Sequence, residues 1–234
     1  MYEYIERNYR ALREEIDALA DKRGSGSVRL VAVTKSGTDE ELMALAAAGV
    51  TDVGENRPQE LVRRGALLRE AGFTPRLHEI GNLQKNKVRH IINDVYMIHS
   101  LDSIELAREI DKRAAAAGRR VPVLIEINSA GEEAKGGIDP TLAEDFFLEV
   151  REMPSLIVSG LMTMGPVSEN AEDMRPYFRL TKELFDRLQA KYGFEGEPTL
   201  SMGMSDSYRI AIEEGATLVR VGHKIFEREE SNNV

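Results

Sequence analysis

The stretch Val-Arg-Leu-Val-Ala-Val-Thr-Lys at residues 28–35 decides the fold that we predict for this chain. It is a short and largely β-branched apolar run, with glycines on either side at positions 24, 26 and 37. A run of this length between turn residues is typical of a strand buried on both faces of a parallel sheet. Lys35 then lies at the carboxyl end of the first strand, where parallel α/β folds bind their ligands. Its amine is a candidate nucleophile, although a surface lysine at the exit of a strand would give the same pattern.

The composition predicts a single domain over residues 1–234. Of these residues 42% are hydrophobic, and no long polar tract interrupts the chain as a linker would. The formal net charge of -9 argues against nucleic-acid and anionic-membrane partners, because phosphate surfaces would repel the chain. The absence of cysteine excludes disulfides and thiolate chemistry. Neither an apolar signal core nor a run of about 18 apolar residues occurs, so we expect a soluble cytoplasmic protein.

Apolar periodicity along the chain alternates between the helix and the strand pattern. Residues 5–19 form an amphipathic stripe that predicts an extra helix before the first strand. Thr38 is predicted to cap the next helix, Pro58 and Pro140 are predicted to open later ones, and a helix is predicted over residues 205–214. The predicted strands cover residues 28–35, 76–80, 95–99, 121–127, 156–162, 199–201 and 218–221, and residues 51–56 are predicted as a very short strand followed by a loop. Eight evenly spaced strand-helix units predict an α/β fold of the (β/α)8 TIM barrel type, with an open doubly wound sheet as the alternative.

Two segments near the end of the chain are candidates for an anion site. They follow the seventh and eighth predicted strands, where barrels commonly bind phosphate through backbone amides and small hydroxyl residues. Gly203 and Gly222 would let the backbone approach an anion closely, and Ser205 would cap a helix or donate a hydrogen bond. Ordinary loops would explain the same residues. The four histidines lack the spacing of metal ligands, so no metal site is predicted.

Six separated motifs together resemble one known family over nearly the whole chain. They are Ala-Val-Thr-Lys at 32–35, Gly-Glu-Asn at 54–56, His-Glu-Ile-Gly with Leu-Gln and Asn-Lys within 78–87, Gly-Leu-Met-Thr-Met at 160–164, Ser-Met-Gly-Met-Ser-Asp at 201–206 and Arg-Val-Gly at 220–222. Their order and spacing are similar to those of the YggS/PROSC family, the pyridoxal phosphate homeostasis proteins. The resemblance implies the barrel of the alanine racemase N-terminal domain, which is the type III fold of pyridoxal 5'-phosphate (PLP) proteins.

The resemblance also implies a role for each matching residue. Lys35 would hold PLP as an internal aldimine, Asn56 would lie near the phenolic oxygen of the ring, and Arg220 would face the pyridine nitrogen. The residues implied to surround the phosphate are Gly203, Met204, Ser205, Gly222 and His223. At His223 the family usually has a small hydroxyl residue, and an imidazole N–H could take over that donor role. An arginine at the ring nitrogen disfavours protonation there and so weakens the ring as an electron sink.

Three functional hypotheses are consistent with the sequence. The first is a monomeric protein of PLP homeostasis that holds the cofactor without a dedicated turnover and passes it to apo-enzymes. The second is a PLP-dependent enzyme similar to an amino-acid racemase, which the shortness of the tail after the eighth unit disfavours, since no second domain follows. The third is a cofactor-free barrel enzyme that uses Lys35 on a carbonyl substrate.

Overall fold

Eight parallel strands close into a barrel in chain order, and the last strand pairs with the first. The computed structural model describes residues 2–24, 26–131, 136–166 and 168–228. The strands are β1 Arg29–Val33, β2 Asp52–Glu55, β3 Arg76–Glu79, β4 Met97–Leu101, β5 Val121–Glu126, β6 Leu156–Met162, β7 Thr199–Ser201 and β8 Leu218–Val221. The predicted barrel is therefore confirmed, and the open doubly wound sheet is wrong.

Helices surround the barrel and cover its outer face. They are α1 Glu3–Arg23, α2 Asp39–Ala47, α3 Pro58–Glu70, α4 Lys85–Ile91, α5 Ile104–Ala116, α6 Ala143–Val150, α7 Arg175–Tyr192, α8 Tyr208–Glu213 and α9 His223–Phe226, with a 3-10 turn at Ala171–Met174. The apolar core lies mainly between this ring of helices and the strands. Within the described parts of the chain, no helix has the length and apolar character needed to cross a membrane.

The predicted leading helix exists as α1, and its apolar stripe packs on the rest of the fold. Ile5 and Ile16 of that stripe are fully buried. The helix contacts α2, α8 and α9, and so joins the first and last units of the ring. Arg23 at its end donates hydrogen bonds to the carbonyls of Ile212 and Ala216, at 2.9 and 2.7 Å. This helix therefore secures the seam where the barrel closes.

Local sequence signals place two helix starts correctly. Thr38 accepts a hydrogen bond from the Glu41 backbone N–H, and the Glu41 side chain accepts one from the Thr38 N–H, which is a complete capping box. Pro58 begins α3 at the position that proline tolerates best, because its missing N–H would have no partner there.

Two other helix starts were predicted too early. Instead of beginning at Pro140, α6 begins at Ala143, because the Asp139 carboxylate accepts the Thr141 N–H at 2.8 Å and holds a turn. Likewise α8 begins at Tyr208 and not at Ser205. There the Met204 carbonyl accepts the backbone N–H groups of Ser207, just before the helix, and of Tyr208, its first residue. This turn before α8 keeps residues 204–207 outside the helix, at the carboxyl end of the barrel.

Candidate functional site

A cavity of about 700 Å³ opens at the carboxyl ends of the strands. Seven of the eight residues predicted as a site line it, namely Lys35, Asn56, Met204, Ser205, Arg220, Gly222 and His223. Residues from the ends of β1, β2, β3, β5 and β8 meet in this cavity, which is the face where (β/α)8 barrels place their ligands. The topology therefore gathers into one cavity residues that are as far apart in the chain as 35 and 223.

Lys35 follows β1 in a tight turn, and its exposed side chain lines the cavity. Arg64 of α3 lies beneath this turn. Its guanidinium donates to the carbonyls of Thr34 and Gly37, the latter at 2.7 Å. The same group pairs with the buried Glu55 carboxylate at 2.9 Å. Burial raises the pKa of Glu55 despite this partner and the hydrogen bond from the Thr34 hydroxyl. The turn that carries Lys35 is thus held from below by a buried cation.

The loops after β7 and β8 meet at another part of the cavity. Gly222 donates its N–H to the Ser205 hydroxyl at 3.4 Å, which brings the two loops together. A Cβ at position 222 would lie 2.6 Å from the Val33 carbonyl oxygen, so only glycine fits there. His223 begins α9 at this point, and the first amides of a helix have no acceptor within it. Hydroxyl and amide donors therefore converge where the sequence predicted an anion site.

Gly203 is the one predicted residue that does not line the cavity, and its part is to shape the loop. It has a φ of 91°, and a Cβ there would lie 2.5 Å from the Cβ of Ala211. Its carbonyl accepts the Arg220 backbone N–H at 3.1 Å. Gly203 thus holds the loop after β7 against β8.

Arg220 presents a buried guanidinium to the cavity. The residue is 3% exposed, and it donates to the Ser201 hydroxyl at 2.5 Å and to the Thr163 carbonyl at 3.1 Å. Burial lowers its pKa to about 10, partly offset by the Glu126 carboxylate, so the group stays cationic at neutral pH. The pKa of Glu126 is raised to about 7, chiefly by burial. An arginine in this state offers donors only.

Sequence reasoning missed several functional candidates around these residues. Glu126 and Ile80 line the cavity, and the apolar side chain of Met164 is exposed at it. Behind Arg220 lies a buried polar layer with His78 and His99, which the sequence analysis considered only as metal ligands. No three His, Cys, Asp or Glu side chains of the described residues are arranged to hold a metal ion. The alternation of polar residues along short strands was the available signal for this layer.

Comparison with known proteins gives consistent results. The family model described as "Alanine racemase, N-terminal domain" matches residues 7–228. A pyridoxal phosphate homeostasis protein of Aquifex aeolicus is 43% identical over 204 residues, which cover 87% of this chain and 88% of that protein. One from Schizosaccharomyces pombe is 35% identical over 218 residues, covering 92% and 89%. The structure of PipY from Synechococcus elongatus with PLP bound superimposes with a TM-score of 0.83 at 28% identity, covering 95% of this chain and 100% of that one.

Proposed function

Because this chain belongs to the family of pyridoxal phosphate homeostasis proteins, we propose that it binds pyridoxal 5'-phosphate in the cavity described above. Its role would be to hold and release the cofactor for other proteins, without a dedicated reaction of its own. The observation that carries the proposal is the meeting of Lys35, the Ser205–Gly222 donors and Arg220 in one cavity. These are an amine, an anion cradle and a fixed cation, which suit an aldehyde, a phosphate and a pyridine ring, respectively.

The chemistry of the donors fits a phosphate. Gly222 packs its backbone closely against Val33, where only glycine fits, and Ser205 supplies a hydroxyl beside it. Backbone amides and small hydroxyl groups are the usual partners of phosphate at the last loops of such barrels. His223 stands at the start of α9 and adds an imidazole near this cradle. These residues would bind the phosphate and fix its orientation in the cavity.

Arg220 would determine the electronic state of the ring. Two of its N–H groups bond to the Ser201 and Thr163 oxygens, and the remaining ones can only donate to an acceptor. A pyridine nitrogen accepts such a hydrogen bond only when it is unprotonated. When bound, the cofactor supplies an aldehyde that condenses with a primary amine, with loss of one water, and a ring that withdraws electrons from the new C=N bond. A ring without a proton on its nitrogen withdraws electrons less well. The Arg220 donors therefore favour storage over carbanion chemistry.

Lys35 and Asn56 complete the proposed site. The Arg64 contacts hold the turn of Lys35, so the amine is presented from a fixed backbone. Asn56 follows β2 and would hydrogen-bond the phenolic oxygen of the ring through its side-chain amide. The partners we propose are PLP and, as acceptors, the apo forms of PLP-dependent enzymes. We also propose that the protein is a cytoplasmic monomer.

The direct test is to trap the cofactor on the protein. The purified chain is incubated with PLP and reduced with borohydride, and the modified residue is located by peptide mass spectrometry. We expect the added mass on Lys35, and we expect its loss in Lys35→Ala with an unchanged fold. Lys85→Ala, an exposed lysine outside the cavity, is the matched control and should label like the wild type. Labelling of Lys85 or Lys224 in place of Lys35 would overturn the assignment.

A further inference from the structure

A chain of buried hydrogen bonds runs from Arg220 across the interior of the barrel to Asp52. The Ser201 hydroxyl accepts from Arg220 and lies 3.1 Å from Nδ1 of His99. Nε2 of His99 lies 2.9 Å from Nδ1 of His78. Nε2 of His78 lies 2.9 Å from Oδ1 of Asp52. Asp52, His78, His99 and Ser201 are each at most 2% exposed, so the chain is shielded from solvent along its length.

The far end of the chain is anchored by donors. The second carboxylate oxygen of Asp52 accepts from Arg76 at 2.7 Å and from the Thr51 hydroxyl at 2.8 Å. These bonds and the contact with His78 hold the pKa of Asp52 below its ordinary value, although burial opposes them. Asp52 is therefore an anion that only accepts hydrogen bonds.

The proton positions in the chain follow from its two ends. Burial lowers the pKa of both His78 and His99, so both imidazoles are neutral and each carries one N–H. His78 must donate from Nε2 because Asp52 only accepts. Its Nδ1 is then an acceptor, so His99 donates from Nε2. The Nδ1 of His99 in turn accepts the Ser201 O–H, and this leaves the Ser201 oxygen free to accept from Arg220. Every donor has one acceptor, and donation runs in one direction from Arg220 to Asp52.

We propose that Asp52, His78, His99 and Ser201 are positioning residues that fix Arg220 as a hydrogen-bond donor toward the ring of the bound ligand. The charge of Asp52, at the opposite end of the barrel, sets the direction of every bond in between. Because the Ser201 O–H donates its hydrogen bond to His99, the Ser201 oxygen always presents a lone pair to Arg220. This lone pair holds the guanidinium in place. The link to a cofactor rests on the proposed function, whereas the direction of the chain does not.

The substitution Asp52→Asn tests the direction. Thr51 and Arg76 are donors, so they will hold the amide oxygen of Asn on their side and turn its NH2 group toward His78. His78 then has to accept at Nε2, and both imidazoles exchange to the Nδ1–H form. Nitrogen-15 NMR distinguishes the two tautomers in the protein without cofactor. The chain has four histidines, and the other two are exposed, which simplifies assignment.

We expect Nε2–H on His78 and His99 in the wild type and Nδ1–H on both in Asp52→Asn. The matched control is Asp94→Asn, which removes a carboxylate that pairs with Arg69 at 2.8 Å and has no histidine partner. It should leave both tautomers unchanged. Nε2–H on both histidines in Asp52→Asn would overturn the proposal.

The consequence for the ligand is measured by titrating PLP into the same proteins. In Asp52→Asn, Ser201 receives N–H donors from both sides and its own proton has no partner in the chain. We expect about tenfold weaker PLP binding and a shifted visible absorption band, with Asp94→Asn like the wild type.

Ser201→Ala cuts the chain next to Arg220 and serves as the second variant should Asp52→Asn fail to fold. It should change the absorption band while both histidines keep Nε2–H. If Asp52→Asn exchanged the tautomers but left the visible absorption band and the affinity for PLP unchanged, the buried layer would be merely structural and the positioning role would be overturned. A wild-type protein that does not bind PLP would refute the proposed function and the positioning role together, and only the direction of the chain would stand.

Discussion

A single buried side chain, Glu79, should make the stability of the fold depend on pH. Glu79 at the end of β3 is fully buried, and it accepts the Gly81 N–H at 3.1 Å with one of its oxygens. Its other oxygen has no hydrogen-bond partner among the described residues. Burial, with the nearby Glu55 carboxylate adding to it, raises the pKa of Glu79 to about 8. At neutral pH the folded protein therefore keeps this side chain protonated.

Glu79→Gln should change the pH dependence of stability. Between the ordinary pKa of about 4.5 and the folded value of about 8, the folded state retains a proton that the unfolded state has released. The stability of the wild type therefore falls as pH rises through this window, by roughly 1.4 kcal/mol per unit from this group alone. The glutamine variant lacks this titration and keeps the bond from Gly81. Urea unfolding at pH 5, 6.5 and 8 should show the free energy of unfolding of the variant increasing relative to that of the wild type as pH rises.

The control for this prediction is Glu70→Gln, an exposed carboxylate at the end of α3. Its unfolding free energy should follow that of the wild type at every pH. If the difference between Glu79→Gln and the wild type were constant from pH 5 to pH 8, the buried acid would not be protonated in the fold.

Among the elements, α3 supports the turn that carries Lys35. Its buried face consists of Pro58, Leu61, Arg64, Gly65 and Leu68. The sequence places an arginine on this otherwise apolar stripe, and that is the only local signal of its role. Its partners lie in the turn after β1 and at the end of β2, and they become neighbours only when the barrel closes. Lys35 was predictable from its own strand, whereas its support was not.

Arg64→Met should destabilise the fold and loosen the turn of Lys35. The substitution removes the only cation paired with the buried Glu55 carboxylate among the described residues, and it takes one donor each from the Thr34 and Gly37 carbonyls. Breaking a buried ion pair typically costs about 3–5 kcal/mol. Adding Glu55→Gln removes the uncompensated charge and should recover part of this loss, about 1 kcal/mol or more. Urea unfolding of the two single variants and the double variant measures the coupling.

The neighbouring Arg63 provides a matched control for this cycle. It pairs with Asp39 at 2.7 Å and Glu60 at 2.9 Å on the protein surface. Exposed pairs of this kind contribute about 0–1 kcal/mol, so Arg63→Met should be nearly neutral. Equal losses in Arg63→Met and Arg64→Met would show that the buried contacts of Arg64 do not support the turn.

At the scale of the whole molecule, the rim of the barrel is predictable from the sequence, whereas its interior is not. The rim was predictable because each strand ends near a motif and all carboxyl ends meet at one face. The polar chain behind Arg220 was not predictable, because it joins β4 to β7 across the lumen of the barrel. His99 and Ser201, which it connects, are 102 residues apart in the sequence. The alternation of polar residues along the strands indicates an inward polar layer, but it does not show which residues of different strands pair with each other. The net charge of -9 likewise gives no indication that the cavity contains Lys35, Arg220 and His223.

The architecture as a whole leads to a prediction that separates a cofactor carrier from an enzyme. Holo-protein is incubated with L-alanine in deuterated water, and α-deuteration is followed by NMR. We expect exchange no faster than with free PLP at the same concentration, because in the proposed site the Arg220 donor would keep the ring a weak electron sink. A positioned general base alone typically contributes about 10²–10⁴-fold to such a proton transfer, so an enzyme would stand out clearly.

Holo-protein reduced with borohydride is the control and should give only background exchange. Rapid and stereospecific deuteration would contradict the carrier function and favour a racemase-like enzyme, whereas slow exchange together with transfer of PLP to an added apo-enzyme would support the carrier.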